Sequence, residues 1–582
     1  MRTALLLSVA LVMAAVGCAA NENPVTPGKL VLEEPTLLCL GVRWYVSGDE
    51  NANAAVKMSY RQKGDQQWRE AMPLFRVGSS DAAGAEEPFL SEEINRRWPS
   101  PLPNLFAGSI FDLKPDTAYE IKLVLSDPDG GSATRTLEAR TRGEPIAPKP
   151  KRTLHVKPGN GGGTGTADDP IRGLAAANAI AKAGDLFLVH AGVYEGTFET
   201  DKSGTPEAPI VWRGAGDGEA VIDAKGAGRG VSANLVHDVF FEGLSIRNSE
   251  FGMVPHGASN VVVRRCHFYD NEYGFAGYRQ DLPMKGFFIA DNLFEGPSTW
   301  PRTKGIEDAR AVQVSGQGHM VCYNRIRGFG DGIDIMSCPP NRAIDFYGNE
   351  ISECTDDAIE LDYGETNVRA FRNHITNCFE GISTQPLYGG PAYIFRNAMY
   401  NLEYTEFKMH NHTVGALYFH NTVVKVGVAW PLHTSEQVEH VVSRNNLMIG
   451  SQADYAFEFS PRMTACDFDY DGFAGGPFEL FAKWNGDRYQ TFEEFRANSG
   501  IERHATWLGD QSPFASGIDV PADHKTQFPI QANDLRLAAG SKAVDAGVVL
   551  PNLNDGYAGK APDLGAYEMG EQMPHYGPRV RQ

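Results

Sequence analysis

The chain has 582 residues, with 53 Lys and Arg against 73 Asp and Glu, a net charge of −20. An acidic excess of that size argues against nucleic acid as a partner, since phosphate backbones require a basic stripe. At about 150 residues per domain the length predicts more than one domain, and no interior apolar run is long enough to span a bilayer.

The N-terminus carries an export signal: Arg2 supplies the positive end and Ala4 to Val16 an apolar stretch too short for a membrane helix. It ends in Ala15-Val16-Gly17-Cys18, which resembles a bacterial lipobox, although Ala15 stands where leucine is usual. The resemblance implies lipidation of Cys18. The chain would then be exported and anchored to a bacterial membrane by that lipid alone, with plain secretion as the alternative, and is expected as a monomer. The other seven cysteines show no CxxC or metal spacing. Residues 19–32 are polar and predicted as a tether. Residues 33–143 have the pattern of a small all-β sandwich with a buried Trp44. Leu113-Lys114-Pro115-Asp116-Thr117-Ala118-Tyr119 resembles the L-x-P-x-T-x-Y motif of fibronectin type III modules, in which the tyrosine hydroxyl bonds back to the backbone. The resemblance implies a spacer or binding accessory. Residues 144–152, rich in Pro and Lys, form the linker.

Residues 153–465 are predicted as a parallel β-helix. Asn292, Asn324, Asn349, Asn373, Asn397, Asn421 and Asn446 each lie two residues before an apolar residue, and from Asn324 onward the spacings are 25, 24, 24, 24 and 25. A fixed polar residue at such a period marks one turn repeated in every coil, and stacked Asn side chains can hydrogen-bond along the stack. The 32-residue gap from Asn292 to Asn324 implies a loop inserted over about 296–308. Cys354 and Cys378 each follow their Asn by five residues, so they stack as neighbours, as two thiols or as a disulfide. A Gly-rich turn after His155-Val156-Lys157-Pro158-Gly159 and an Ala-rich helix over about 174–182 look like the N-terminal cap of bacterial right-handed β-helix proteins. An open solenoid end is an exposed sheet edge and needs such a cover. Residues 466–582, with Asp545-Ala546-Gly547 and Gly559 to Glu568, resemble their closing segment, and its acids are expected to be structural.

Strand alternation then selects a wall. With Ile333, Ile335, Ile359, Leu361, Ile382, Phe407 and Met409 inward, one outward column is Asp334, Glu360, Ser383, Lys408 and the next is Met336, Asp362, Gln385, His410. The same wall takes Arg310, Gln313, Tyr278 and His256, and adjoining turns add Asp331, Asp356, Asp357, Tyr363, Tyr388 and His412. A charged outer face is ordinarily just solvated, but like charges in adjacent coils repel unless a cation lies between them.

The coils, the caps and the export signal together resemble the pectate-lyase-like superfamily of right-handed parallel β-helix proteins. The resemblance implies a carbohydrate-active protein with a polysaccharide substrate. The leading expectation is a polysaccharide lyase: Asp334, Glu360 and Asp362 hold Ca²⁺ against a uronate carboxylate, Lys408 with a lowered pKa is the base, and His410 or a Tyr serves the leaving oxygen. Arg310, Tyr278, Gln385, Tyr388 and His412 bind the glycan. The alternatives are a glycoside hydrolase working through Asp334, Glu360 and Asp362, a uronate epimerase, and a glycan-binding protein without catalysis. The Asn-Thr-Asp and Gly-His-Gly signatures of β-helix polygalacturonases do not occur.

Overall fold

The structure is a computed structural model that describes residues 23–78, 102–305, 307–338 and 340–580. The export signal and Cys18 lie outside the described residues.

Thr26–Leu32, expected as tether, is instead a strand paired antiparallel with Leu40–Ser47. Seven antiparallel strands follow one another in the order Thr26–Leu32, Leu40–Ser47, Leu105–Ile110, Arg69–Val77, Ala55–Gln62, Ala118–Ser126 and Ser132–Arg140. Arg69–Val77 pairs on both sides and makes the sheet continuous. It encloses a core of Val42, Trp44, Val56, Ile121 and Leu123. The backbone N–H of Lys114 donates to the Tyr119 hydroxyl at 2.9 Å.

Parallel pairing runs from Arg152–Lys157 to Thr506–Gly509. The coils thus pass well beyond residue 465. Each central coil contributes one strand to a 14-stranded sheet and one or two to a 19-stranded sheet that bends at a corner into two faces. The asparagines sit at the junction of the first and second faces, all fully buried. Each donates its backbone N–H and its Nδ2 to the Oδ1 of the Asn in the next coil, and Nδ2 also to a carbonyl of the coil before. For Asn373 these bonds are 3.1 Å and 3.0 Å to Asn397, and 2.9 Å to the Phe346 carbonyl. After Asn446 the acceptor is Asp471, at 2.7 Å from the Asn446 N–H, and Asp471 in turn donates its N–H to Glu502. The Asn period stops there because carboxylates take over the same place.

The helix Leu174–Ala179 covers the first coil with Leu174 and Ala177. The helix Phe492–Asn498, capped by the Thr491 side chain, closes the other end with Phe495. From about residue 510 the chain runs back along the outer side of the second face. Asn401 Nδ2 donates to the His524 carbonyl, Asn377 Nδ2 to that of Phe528, and Gly577 N–H to that of Gly348. Within this segment Asp545 accepts from the N–H groups of Lys560 and Ala561, and Glu568 from that of Asp563, so these acids are structural. The N-terminal module is no free spacer. It lies on the first face, where Leu37, Cys39 and Phe111 share a core with Phe288, Phe371, Tyr393 and Phe395. There Glu33 accepts from Thr366 and Asn367, and Ser109 bonds Asn367 and Arg369. The seven described cysteines are unbridged, and Cys354 and Cys378 are buried thiols in adjacent coils.

Candidate functional site

The third face carries the wall. Gln313 pairs with Asp334, Asp334 with Glu360, Glu360 with Ser383 and Ser383 with Lys408, so the expected column stands in register. The inward residues Ile333, Ile359, Ile382 and Phe407 all lie in the core.

The corner before this face breaks the alternation. Two residues ahead of each inward apolar residue, Arg310, Asp331, Asp357 and Glu380 point out instead of in, while Ala311 and Ala358 pack into the core. The corner demands small residues: a Cβ on Gly332 would lie 2.4 Å from the Ala358 carbonyl oxygen, and one on Gly381 2.5 Å from that of Glu406. The outward acids therefore crowd beside the column, and two cations divide them. Arg310 Nε lies 2.8 Å from Asp331 and 2.9 Å from Asp334, with Nη1 2.6 Å from Asp308. Lys408 Nζ lies 2.7 Å from Asp357, 2.9 Å from Glu380 and 3.6 Å from Asp356.

These contacts correct several expectations. Burial works against the charge on Lys408, but Asp357, Glu380 and Asp356 outweigh it and hold the ammonium well above the ordinary lysine range. A lysine so held is not a base. Asp334 is fully buried and beyond a substrate's reach. Arg310 is committed to three carboxylates. Tyr388 is 2% exposed and packs beside Tyr363, and His412, also buried, bonds Glu439 at 3.1 Å. Neither presents itself to a glycan. Gln385 acts through its backbone, whose N–H donates to Asp362 Oδ1 at 2.7 Å. Ser383 Oγ donates to the same oxygen at 2.7 Å.

Glu360 stands apart. Its side chain is partly exposed and makes no hydrogen bond or ion pair among the described residues. Burial against the wall, then the charges of Asp331, Asp334 and Asp362, push its carboxyl well above the usual range. Burial raises Asp362 to about 7, against the opposing bonds from Gln385 and Ser383, and Asp331 to about 6, against Arg310. His410, half-buried, is held below the ordinary histidine range by burial and then by Lys408, which keeps its ring neutral at pH 7.

Asp331, Asp334 and Glu360 each offer a carboxylate oxygen within 4.8 Å of the others. The expected trio thus exchanges Asp362 for Asp331. Hard oxygens and mutually raised carboxyls suit Ca²⁺, and no donor makes a well-directed hydrogen bond to either Asp334 oxygen. However, the guanidinium of Arg310 already stands against two of the three.

Toward the N-terminal coils the wall opens into a cleft of about 590 Å³ lined by Arg229, Phe251, His256, Tyr278, Arg279 and Met336, among others. The Arg229 guanidinium makes no hydrogen bond or ion pair among the described residues, while Arg279 pairs with Asp281 at 2.8 Å. Phe251 stacks on Tyr273 with ring centroids 4.7 Å apart. Of these residues the sequence pointed to Tyr278, His256 and Met336. Arg229 and Phe251 sit in early coils that lack the Asn marker, and Glu380 was hidden by the parity change at the corner.

No family model matches the chain, and no curated protein matches it. Among solved structures it is similar to a family 28 exopolygalacturonase of Yersinia enterocolitica, at 11% identity and a TM-score of 0.27, covering 79% of this chain and 100% of that one. It is also similar to an alginate lyase from Paenibacillus sp. strain FPU-7, at 18% identity and a TM-score of 0.30, covering 50% of this chain and 92% of that one.

Proposed function

We propose that this chain cleaves an anionic polysaccharide laid across the third face, by hydrolysis, with Glu360 as general acid and Asp362 as general base. The observation that carries the reading is the place of Glu360: partly exposed and unpartnered beside three other acids, its carboxyl is pushed well up and favours the protonated form, as protonating a leaving glycosidic oxygen requires. Asp362 is 4% exposed and so meets no sugar itself; Ser383 and the Gln385 N–H aim it through one oxygen, which leaves the other for a single water. Glu360 ends the strand Asp357–Glu360 and Asp362 lies in the turn just beyond it, so the two acids flank one stretch of the wall. The cleft beside them supports the substrate class, since Arg229 supplies an unpaired positive charge for a sugar acid and Tyr278 and Phe251 offer ring surface. A leader ending at Cys18 fits an enzyme that meets its polymer outside the cytoplasm.

One observation favours a second reading, β-elimination: His410 is neutral and able to take a proton. Asp331, Asp334 and Glu360 would then hold Ca²⁺, which would neutralise a uronate carboxylate. The two readings exclude each other, because a cation on Glu360 displaces its proton. Incubation with a panel of uronate-containing polysaccharides, with and without chelator, separates them. Hydrolysis gives saturated reducing ends, survives chelator and is slowed by added calcium. Elimination gives the ultraviolet absorbance of an unsaturated uronate and stops with chelator.

A further inference from the structure

Three successive coils at the N-terminal end of the first face bring together His155, His190 and Asp217, far from the wall just described. His155 lies on the strand Arg152–Lys157 between the core residues Leu154 and Val156, so its ring points out. His190 follows the strand Asp185–Val189, paired in parallel with it. Asp217 follows Ile210–Gly214, the next strand of the same sheet. The two imidazoles stack, with centroids 5.1 Å apart and planes 21° apart. His155 Nδ1 is 2.8 Å from His190 Nε2, and His190 Nδ1 is 2.7 Å from Asp217 Oδ2.

Asp217 fixes the tautomer. Its Oδ2 can only accept a hydrogen bond, so His190 Nδ1 facing it carries the hydrogen and His190 Nε2 a lone pair directed at His155. Asp217 is itself held, because its other oxygen accepts from the Ala191 N–H at 3.1 Å. The His190 backbone is anchored too: its N–H donates to the Val156 carbonyl, and its own carbonyl accepts from the Tyr194 hydroxyl at 2.9 Å. A histidine whose second nitrogen is clamped by a carboxylate is how metal-binding imidazoles are oriented. The side chains remain reachable, with His190 29% and Asp217 48% exposed.

We propose that His155 Nδ1 and His190 Nε2 form a surface site for a divalent transition metal of the copper(II) class, with Asp217 as positioning residue and water in the remaining positions. Two nitrogens at about 2.0 Å from one ion are about 2.8 Å apart at a right angle and about 3.3 Å apart at the tetrahedral angle. The 2.8 Å between the two nitrogens is the hydrogen bond they now share, and it holds them close enough to take cis positions of a tetragonal ion, the preference of copper(II) and nickel(II), of which copper(II) binds most tightly. Binding needs no net proton loss, since His155 moves its N–H from Nδ1 to Nε2.

The test is titration of the full chain with copper(II), followed by its visible absorption and by electron paramagnetic resonance, beside the variants His190→Ala, His155→Gln and Asp217→Asn. Wild type should bind one more copper than His190→Ala or His155→Gln, and that ion should show two nitrogen ligands. Asp217→Asn should weaken it about 10–100-fold. Equal stoichiometry and equal spectra in wild type, His190→Ala and His155→Gln would overturn the site. Asp217→Asn with unchanged affinity would overturn its positioning role. Far-ultraviolet circular dichroism confirms that the variants are folded, and the conservative His155→Gln change keeps the site testable if His190→Ala is not.

Discussion

Lys408 and Glu360 stand in the same outward column, and their neighbours give them opposite roles. Three carboxylates close on Lys408 and make it structural. Removing it by Lys408→Ala leaves Asp357 and Glu380 facing each other without a cation, and the loss of one partner from a buried pair costs about 3–5 kcal/mol. A denaturant melt should show that loss whether or not the variant retains activity. Glu360 has no such partner and holds its proton instead. The rate should therefore follow a bell in pH. It climbs through about pH 7 as Asp362, raised to about 7, ionises, and falls at higher pH as Glu360 loses its proton. Steady-state rates across pH check both limbs. Alternation along the strands was enough to place Asp334, Glu360 and Lys408 on one wall. It could not place Glu380 there, nor give Asp331 and Asp357 their ion-pair partners, because the chain reverses parity at a corner that only packing reveals.

The Asn stack is the element that sets the coils. Each side chain satisfies a buried N–H in the coil before it, so Asn373→Ala orphans the N–H and Nδ2 of Asn349 and the carbonyl of Phe346. At about 1–3 kcal/mol for each buried group left unsatisfied, the variant should lose at least about 2 kcal/mol. Equilibrium unfolding of the variant against wild type measures this. The stack was plain in the sequence because one residue type recurs at one period. Its end was not: Asp471 and Glu502 continue the same bonds with different side chains, and coil formation runs on to Gly509 without the marker.

Over the whole molecule, the N-terminal module and the returning C-terminal segment brace two faces of the solenoid and leave the third for function. Neither arrangement was legible beforehand. Bonds such as Thr366 to Glu33 join residues more than 300 positions apart and leave no local pattern. The buried acids give the molecule a pH signature. Asp331 and Asp471 are raised to about 6, Asp362 to about 7 and Glu406 to about 8, in each case chiefly by burial. Their unfolded values lie near 4, so across the interval from about pH 4 to about pH 8 the folded state binds more protons than the unfolded one. The stability these groups lend is present below about pH 4 and is lost as pH rises through the folded values. Calorimetric melting temperatures should thus decline from about pH 5 to about pH 8, and Glu406→Gln should flatten the upper part of that decline.

The central claim rests on one proton at Glu360, and the products of wild type and Glu360→Gln acting on a uronate-containing polysaccharide in the presence of chelator test it most directly. Wild type should release saturated reducing ends, and Glu360→Gln, with an unchanged melting temperature, should do so at least about 100-fold more slowly. Unsaturated uronate ends from the wild type, or full activity in Glu360→Gln, would contradict it.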